Sequence, residues 1–194
     1  MLPMITTLSE LDEAKLLIDQ AFDELLEEGC AIEKPQLGVM IEVPAAVFQA
    51  REFAKRVDFL SVGSNDLTQY LLAVDRNNPR VASLYESLHP AVIRSLIKVI
   101  EGGHAAGVEV SICGEMASDP LAVILLLAMG FDTLSMNSFG LPRVKWVVRS
   151  FSIATARKIL ADVLELEHAG EIRLYLQKAL EDKGLGGLIR AGKS

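Results

Sequence analysis

Apolar and polar residues follow two rhythms along this chain. Leu11, Ala14, Leu17, Ile18, Ala21, Phe22 and Leu25 recur at helical steps, which predicts an amphipathic helix. Thr7 or Ser9 would cap it ahead of the acidic turn Glu10, Asp12, Glu13, and Gly29 would stop it just after Glu28. Apolar runs of strand length come next: Leu37 to Val43, Phe59 to Ser64, Val108 to Cys113 and Thr133 to Asn137. The opening Met1 to Ile5 reads as one more strand. Helical spacing returns over Ala45 to Arg56, Pro90 to Ala106, Pro120 to Met129, Pro142 to Arg149, Ile153 to Glu167 and Glu171 to Lys183. Asn65 to Leu72 reads as a short helix or loop over the end of the Phe59 strand.

The order is strand then helix five times over, and such alternation implies a parallel sheet with right-handed crossovers. Five units do not close an eight-unit barrel. Spacing alone therefore leaves an open α/β sheet, or the C-terminal portion of a TIM (β/α)8 barrel carrying extra C-terminal helices. No repeat, low-complexity linker or domain boundary interrupts the chain before its tail. We expect one domain over residues 1–194, with β/α units in 1–150 and helices plus a Gly-rich tail in 151–194.

Composition narrows the function classes. Hydrophobic residues make up 51% of the chain, enough for a packed core. The formal net charge is -7 with no basic cluster, which argues against nucleic acid or an anionic membrane as partner. The longest apolar run, Leu121 to Met129, is too short to cross a bilayer. No signal-like segment opens the chain. Cys30 and Cys113 lie far apart without disulfide or zinc spacing, so reduced thiols in a cytoplasmic protein are expected.

Three of the strand-like runs end in reactive residues. One closes on Glu42, one on Gly63-Ser64-Asn65-Asp66 and one on Cys113-Gly114-Glu115, with Arg76 a few residues beyond the second. Carboxylates, an amide and backbone donors converging at strand mouths suit a metal-bound anion. Each also has a plainer reading. Glu42 could be a helix N-terminal carboxylate ahead of Pro44, Asn65-Asp66 a turn or cap pair, and Cys113 a small buried apolar residue. Arg76 could pair only with Asp75 or Asp66.

The motifs Gly38 to Pro44, Asp58 to Tyr70, Ala73 to Arg76 and Cys113 to Glu115 resemble the C-terminal barrel of enzyme I. That family is the phosphoenolpyruvate–protein phosphotransferases that open the bacterial phosphotransferase system. Leu88 to Pro90, Ser135 to Asn137 and the ending Gly184 to Arg190 look most like its nitrogen-related branch. The resemblance implies phosphoenolpyruvate and Mg²⁺ bound at the barrel mouth, with transfer of the phosphoryl group to a histidine on a separate domain and release of pyruvate. It assigns Glu42 and Asp66 to the metal, Asn65 and Arg76 to the substrate, and Cys113 to protonation of the enolate. It also implies a phosphocarrier protein as partner, reached through another domain, and a homodimer. His89, His104 and His168 do not match the family's phosphohistidine motif, and the barrel's first strands are not seen, so turnover by this chain alone is not expected. Two other readings stay open: a non-catalytic dimerisation module, and the related barrel of a phosphoenolpyruvate synthase or pyruvate phosphate dikinase.

Overall fold

A computed structural model describes residues 1–190. Four parallel strands form its sheet: β1 (Gly38–Ile41), β2 (Phe59–Gly63), β3 (Glu109–Cys113) and β4 (Thr133–Leu134). They lie side by side in chain order, with no reversal. Helices α2 (Pro44–Phe48) and α3 (Ala50–Ala54) connect β1 to β2. Helices α4 (Ser64–Leu72) and α5 (Pro90–Ala105) connect β2 to β3, and α6 (Pro120–Met129) lies between β3 and β4. Helix α3 packs on α5, and α5 on both α6 and the middle strands, so these helices form one layer. Sequential order with helices in a single layer is the winding of an arc of a (β/α)8 barrel. In a doubly wound sheet the strand order would reverse.

The strands alternate cleanly between faces. Val39, Ile41, Leu60, Val62, Val110 and Ile112 are fully buried on the helix side. The other face carries Met40, Ser61, Ser111 and, at its end, Cys113, most of them only half-buried. The second face is therefore more polar than burial of both faces would require.

Helix α1 (Leu8–Glu27) precedes the sheet, capped by Thr7 in a reciprocal box with Glu10. Helices α7 (Leu141–Ser150), α8 (Ile153–Leu164), α9 (Ala169–Glu181) and α10 (Gly187–Arg190) follow it. Helix α6 is apolar all round, and α7, α8 and α9 pack about it. The C-terminal helices thus cover a barrel helix that would otherwise present apolar surface to water.

Three expectations need correction. The strand expected over Met1 to Ile5 is reduced to one bridging residue, Leu2 against Val39. Pro3 has no N–H to give, and Met4 turns into a left-handed conformation at φ 57°. The strand expected to Asn137 ends at Leu134, where Asn137 instead accepts the Gly140 N–H and closes a turn. With the opening strand reduced to that bridge, the sheet of the described residues has four strands, not five. The helix expected over Ala45 to Arg56 breaks at Gln49, whose φ of -113° leaves the helical region. Of the Gly-rich tail, residues 191–194 lie outside the described residues.

Candidate active site

Parallel register lines up the strand ends. Ile41 pairs with Val62 and Gly63 with Cys113, so Glu42, one step past Ile41, falls in the row of Gly63 and Cys113. Residues of one row in a parallel sheet point to the same side, with neighbouring strands about 4.8 Å apart. Glu42 and Cys113 thus stand roughly two strand spacings, about 10 Å, apart on the half-open face. Between them Gly63 offers no side chain. A Cβ there would sit 2.5 Å from Glu42 Oε2 and 3.0 Å from Met40 Sδ. Only glycine leaves that carboxylate in place.

Glu42 is buried, at 4% exposure. Its Oε1 accepts the Met4 N–H at 2.8 Å, and among the described residues Oε2 makes no hydrogen bond. Burial pushes the Glu42 carboxyl above its ordinary range, the Asp66 charge adds to the rise, and the Met4 amide opposes it. Asp66 lies in the first turn of α4, directly beyond the β2 mouth. Two carboxylates that repel each other, one with a free oxygen, form a donor set suited to a hard cation. Among the described residues no three His, Cys, Asp or Glu side chains form a ready cage. Such a cation would need further oxygens from a ligand and water, which is how Mg²⁺ is usually held.

Arg76 approaches the same carboxylate, with Nη2 3.4 Å from Asp66 Oδ1. Its Nη1 is buried and, among the described residues, has no hydrogen-bond partner. A buried guanidinium nitrogen left unpaired is costly, and an anionic ligand would satisfy it. The main-chain N–H of Arg76 donates to Gln69 Oε1 at 3.1 Å, which fixes where the side chain starts.

Asn65 joins the β2 mouth to the β3 mouth. Its Oδ1 accepts the Glu115 N–H at 3.1 Å, and among the described residues its amide nitrogen makes no hydrogen bond. Ser64, buried, donates its hydroxyl to the Cys113 carbonyl at 2.6 Å. This close join requires Gly114, held at φ +93°, where a Cβ would meet Ser64 Oγ at 2.4 Å. Cys113 is half-buried and its thiol donates weakly to the Val62 carbonyl at 3.5 Å. Burial pushes that thiol above its ordinary range. The Ser61 hydroxyl pulls it back, and the charges of Glu42 and Asp66 raise it further.

All five residues singled out from sequence, Glu42, Asn65, Asp66, Arg76 and Cys113, therefore share one end of the sheet. Sequence reasoning missed Tyr85. Its hydroxyl donates to the Asn65 carbonyl at 3.3 Å, while burial raises its phenol against the Thr68 hydroxyl and the Arg76 guanidinium. Tyr85 sits in a stretch without periodicity, and only tertiary contact reveals it. Clefts elsewhere, between α8 and α9 around Tyr175 and beside Lys15 and Asp58, share no residue with this group.

Comparison with known proteins identifies the family. The family model for the PEP-utilising enzyme, PEP-binding domain, matches residues 1–153. The chain is 47% identical over 193 residues to an Escherichia coli (strain K12) protein named phosphoenolpyruvate-dependent phosphotransferase system, covering 99% of this chain and 26% of that one. It is 42% identical over 187 residues to a phosphoenolpyruvate-protein phosphotransferase of Haemophilus influenzae, covering 95% of this chain and 32% of that one. The chain thus spans about a quarter to a third of the length of these relatives. A citrate lyase structure from Burkholderia xenovorans LB400 matches 94% of this chain and 63% of its own, at a TM-score of 0.53 and 18% identity, a likeness of fold alone. With the family model matching residues 1–153, most of the chain, the protein belongs to the PEP-utilising enzymes, as their PEP-binding domain.

Proposed function

We propose that the chain binds phosphoenolpyruvate at its strand mouths, as the barrel part of a phosphoenolpyruvate–protein phosphotransferase. The observation that carries this reading is the buried, unpaired Nη1 of Arg76 beside Asp66 and the row of Glu42 and Cys113. Arg76 would take the phosphate or carboxylate of the substrate, and the free amide nitrogen of Asn65 would orient it. Glu42 and Asp66 would hold Mg²⁺, which when bound supplies positive charge to the substrate's oxygens.

The phosphoryl group leaves for a histidine nitrogen of another domain as the bond from phosphorus to the enol oxygen breaks. The pyruvate enolate remains, and the Cys113 thiol donates its proton to the methylene carbon. The thiolate then recovers a proton from solvent. A thiol pushed up by burial and two carboxylates is protonated at neutral pH, as an acid in this step must be. A phosphocarrier protein as the later acceptor, a homodimer and a cytoplasmic setting belong to the same proposal. Among the described residues no helix is long and apolar enough to cross a membrane. The exposed Phe139 and Trp146 give a second copy apolar surface to cover. Relatives named as phosphotransferases favour this reading over a phosphoenolpyruvate synthase or a pyruvate phosphate dikinase.

The test is a graft of this chain in place of the matching segment of the E. coli relative. The graft should release pyruvate from phosphoenolpyruvate, and Cys113→Ala should slow that step about a hundredfold while ligand binding persists. Unchanged turnover in Cys113→Ala removes the thiol from the mechanism.

A further inference from the structure

Arg76 and Tyr85 lie on the long connection from α4 to α5, which contains only a single helical turn at Ala82–Leu84. Loops of this length seldom hold a binding geometry without outside support. Part of the support comes from α9. Glu86, next to Tyr85, accepts at one oxygen from both Arg173 Nη2 (2.8 Å) and the Leu88 N–H (3.0 Å). Arg173 lies 87 residues further along the chain. Its base is fixed, because Ile172 and Leu176 on either side are fully buried and α9 packs against α6.

Arg173 also bears on the neighbouring strand mouth. Asp119 caps α6, accepting the Leu121 N–H at 3.0 Å, and follows the turn Glu115–Ser118 that leads out of Cys113. Burial raises the Asp119 carboxyl, with the charges of Arg173 and Arg143 opposing and that of Glu86 adding. Arg173 is thus ion-paired to Glu86, the residue after Tyr85, and its charge also acts on Asp119 beyond the Cys113 strand. Helix α9 lies beyond the residues matched by the family model, which end at 153.

We propose that Arg173 is a positioning residue for the strand-mouth site: through Glu86 it holds the Arg76–Tyr85 segment in the geometry that receives the ligand. This inference rests on the phosphoenolpyruvate reading of the site and adds a second element, α9, to its architecture. Arg173 touches no reacting atom and acts through Glu86, Tyr85 and Asn65.

The test compares the unmodified chain with Arg173→Gln and Arg173→Lys in two measurements. Amide hydrogen exchange is followed at Tyr85 to Leu88, and phosphoenolpyruvate is titrated calorimetrically in the presence of Mg²⁺. For a half-exposed charged hydrogen bond the expected change in Arg173→Gln is about fivefold faster exchange at Leu88 and about fivefold weaker binding. Arg173→Lys, which keeps the charge, should recover part of both. Should Arg173→Gln fail to fold, Glu86→Gln removes the ion pair while retaining the acceptor, and should show the same two changes. Unchanged exchange at Leu88 overturns the brace, and faster exchange with unchanged affinity overturns its role in binding. An unmodified chain that takes no phosphoenolpyruvate overturns the substrate reading instead, and exchange at Leu88 then decides the brace alone.

Discussion

The two ends of the sheet treat their charges in opposite ways. At the amino ends, two aspartates beside the strands, Asp58 and Asp132, are satisfied. Asp58 Oδ2 accepts the Leu37 N–H at 2.7 Å, and Asp132 Oδ2 accepts the Val110 N–H at 2.8 Å and meets His104 Nε2 at 2.9 Å. The Asp132 carboxyl is held below its ordinary range; burial acts against this, and the Val110 amide and His104 outweigh it. At the carboxyl ends, burial lifts Glu42 above its range with the Asp66 charge adding to it, and among the described residues Arg76 has an unpaired buried nitrogen. Carboxylates of one chemical type thus stabilise the fold at one end of the strands and are left short of partners at the other. Charge that folding does not satisfy is available to a ligand, as expected where barrel proteins divide stability from chemistry.

Substitutions should separate the two ends. The largest effect is expected at the carboxyl ends. Glu42→Gln or Asp66→Asn should weaken Mg²⁺-dependent phosphoenolpyruvate binding about a hundredfold by calorimetry. In Glu42→Gln, stability by thermal unfolding should hold or rise, because a buried charge opposed by burial and by Asp66 is removed. Gly63→Ala should damage both properties. Its methyl would displace Glu42, costing about 1–3 kcal/mol in denaturant unfolding together with ligand binding.

At the amino ends, Asp132→Asn should cost about 1 kcal/mol of stability, discounted for its exposure, and leave binding unchanged. The two ends should also respond oppositely to acid. Asp132, lowered in the folded state, contributes stability above the ordinary Asp range that is lost as pH falls through its folded value. Glu42, raised in the folded state, costs stability once pH exceeds its folded value, and protonation relieves that cost. Unfolding curves between neutral and acidic pH should therefore lose their acid-side gain in Glu42→Gln and their acid-side loss in Asp132→Asn. The smallest effect is a difference in rate. Exposed Cys30 should be alkylated before half-buried Cys113, whose thiol is raised, with the order read by mass spectrometry.

Much of the carboxyl end could be read from the sequence, because the last apolar residue of a buried strand marks where its mouth begins. Glu42, Asp66 and Cys113 each stand at or just beyond such a run, and parallel register does the rest. Helices α5 and α6 were legible because Pro opens each and the apolar positions fill it. The opening strand misled because Met1 to Ile5 is apolar enough, while its fate depends on Pro3 and on Met4 turning to reach Glu42. Tyr85, Glu86 and Arg173 carry no local pattern. Their significance arises from contacts across many residues of chain, which periodicity does not encode.

The central claim is that the unsatisfied charge at the carboxyl ends is a binding site. Calorimetric titration of phosphoenolpyruvate into this chain, with and without Mg²⁺ and again in Glu42→Gln, tests it most directly. The account predicts metal-dependent binding that is about a hundredfold weaker in Glu42→Gln. Binding that ignores both the metal and the substitution would contradict it.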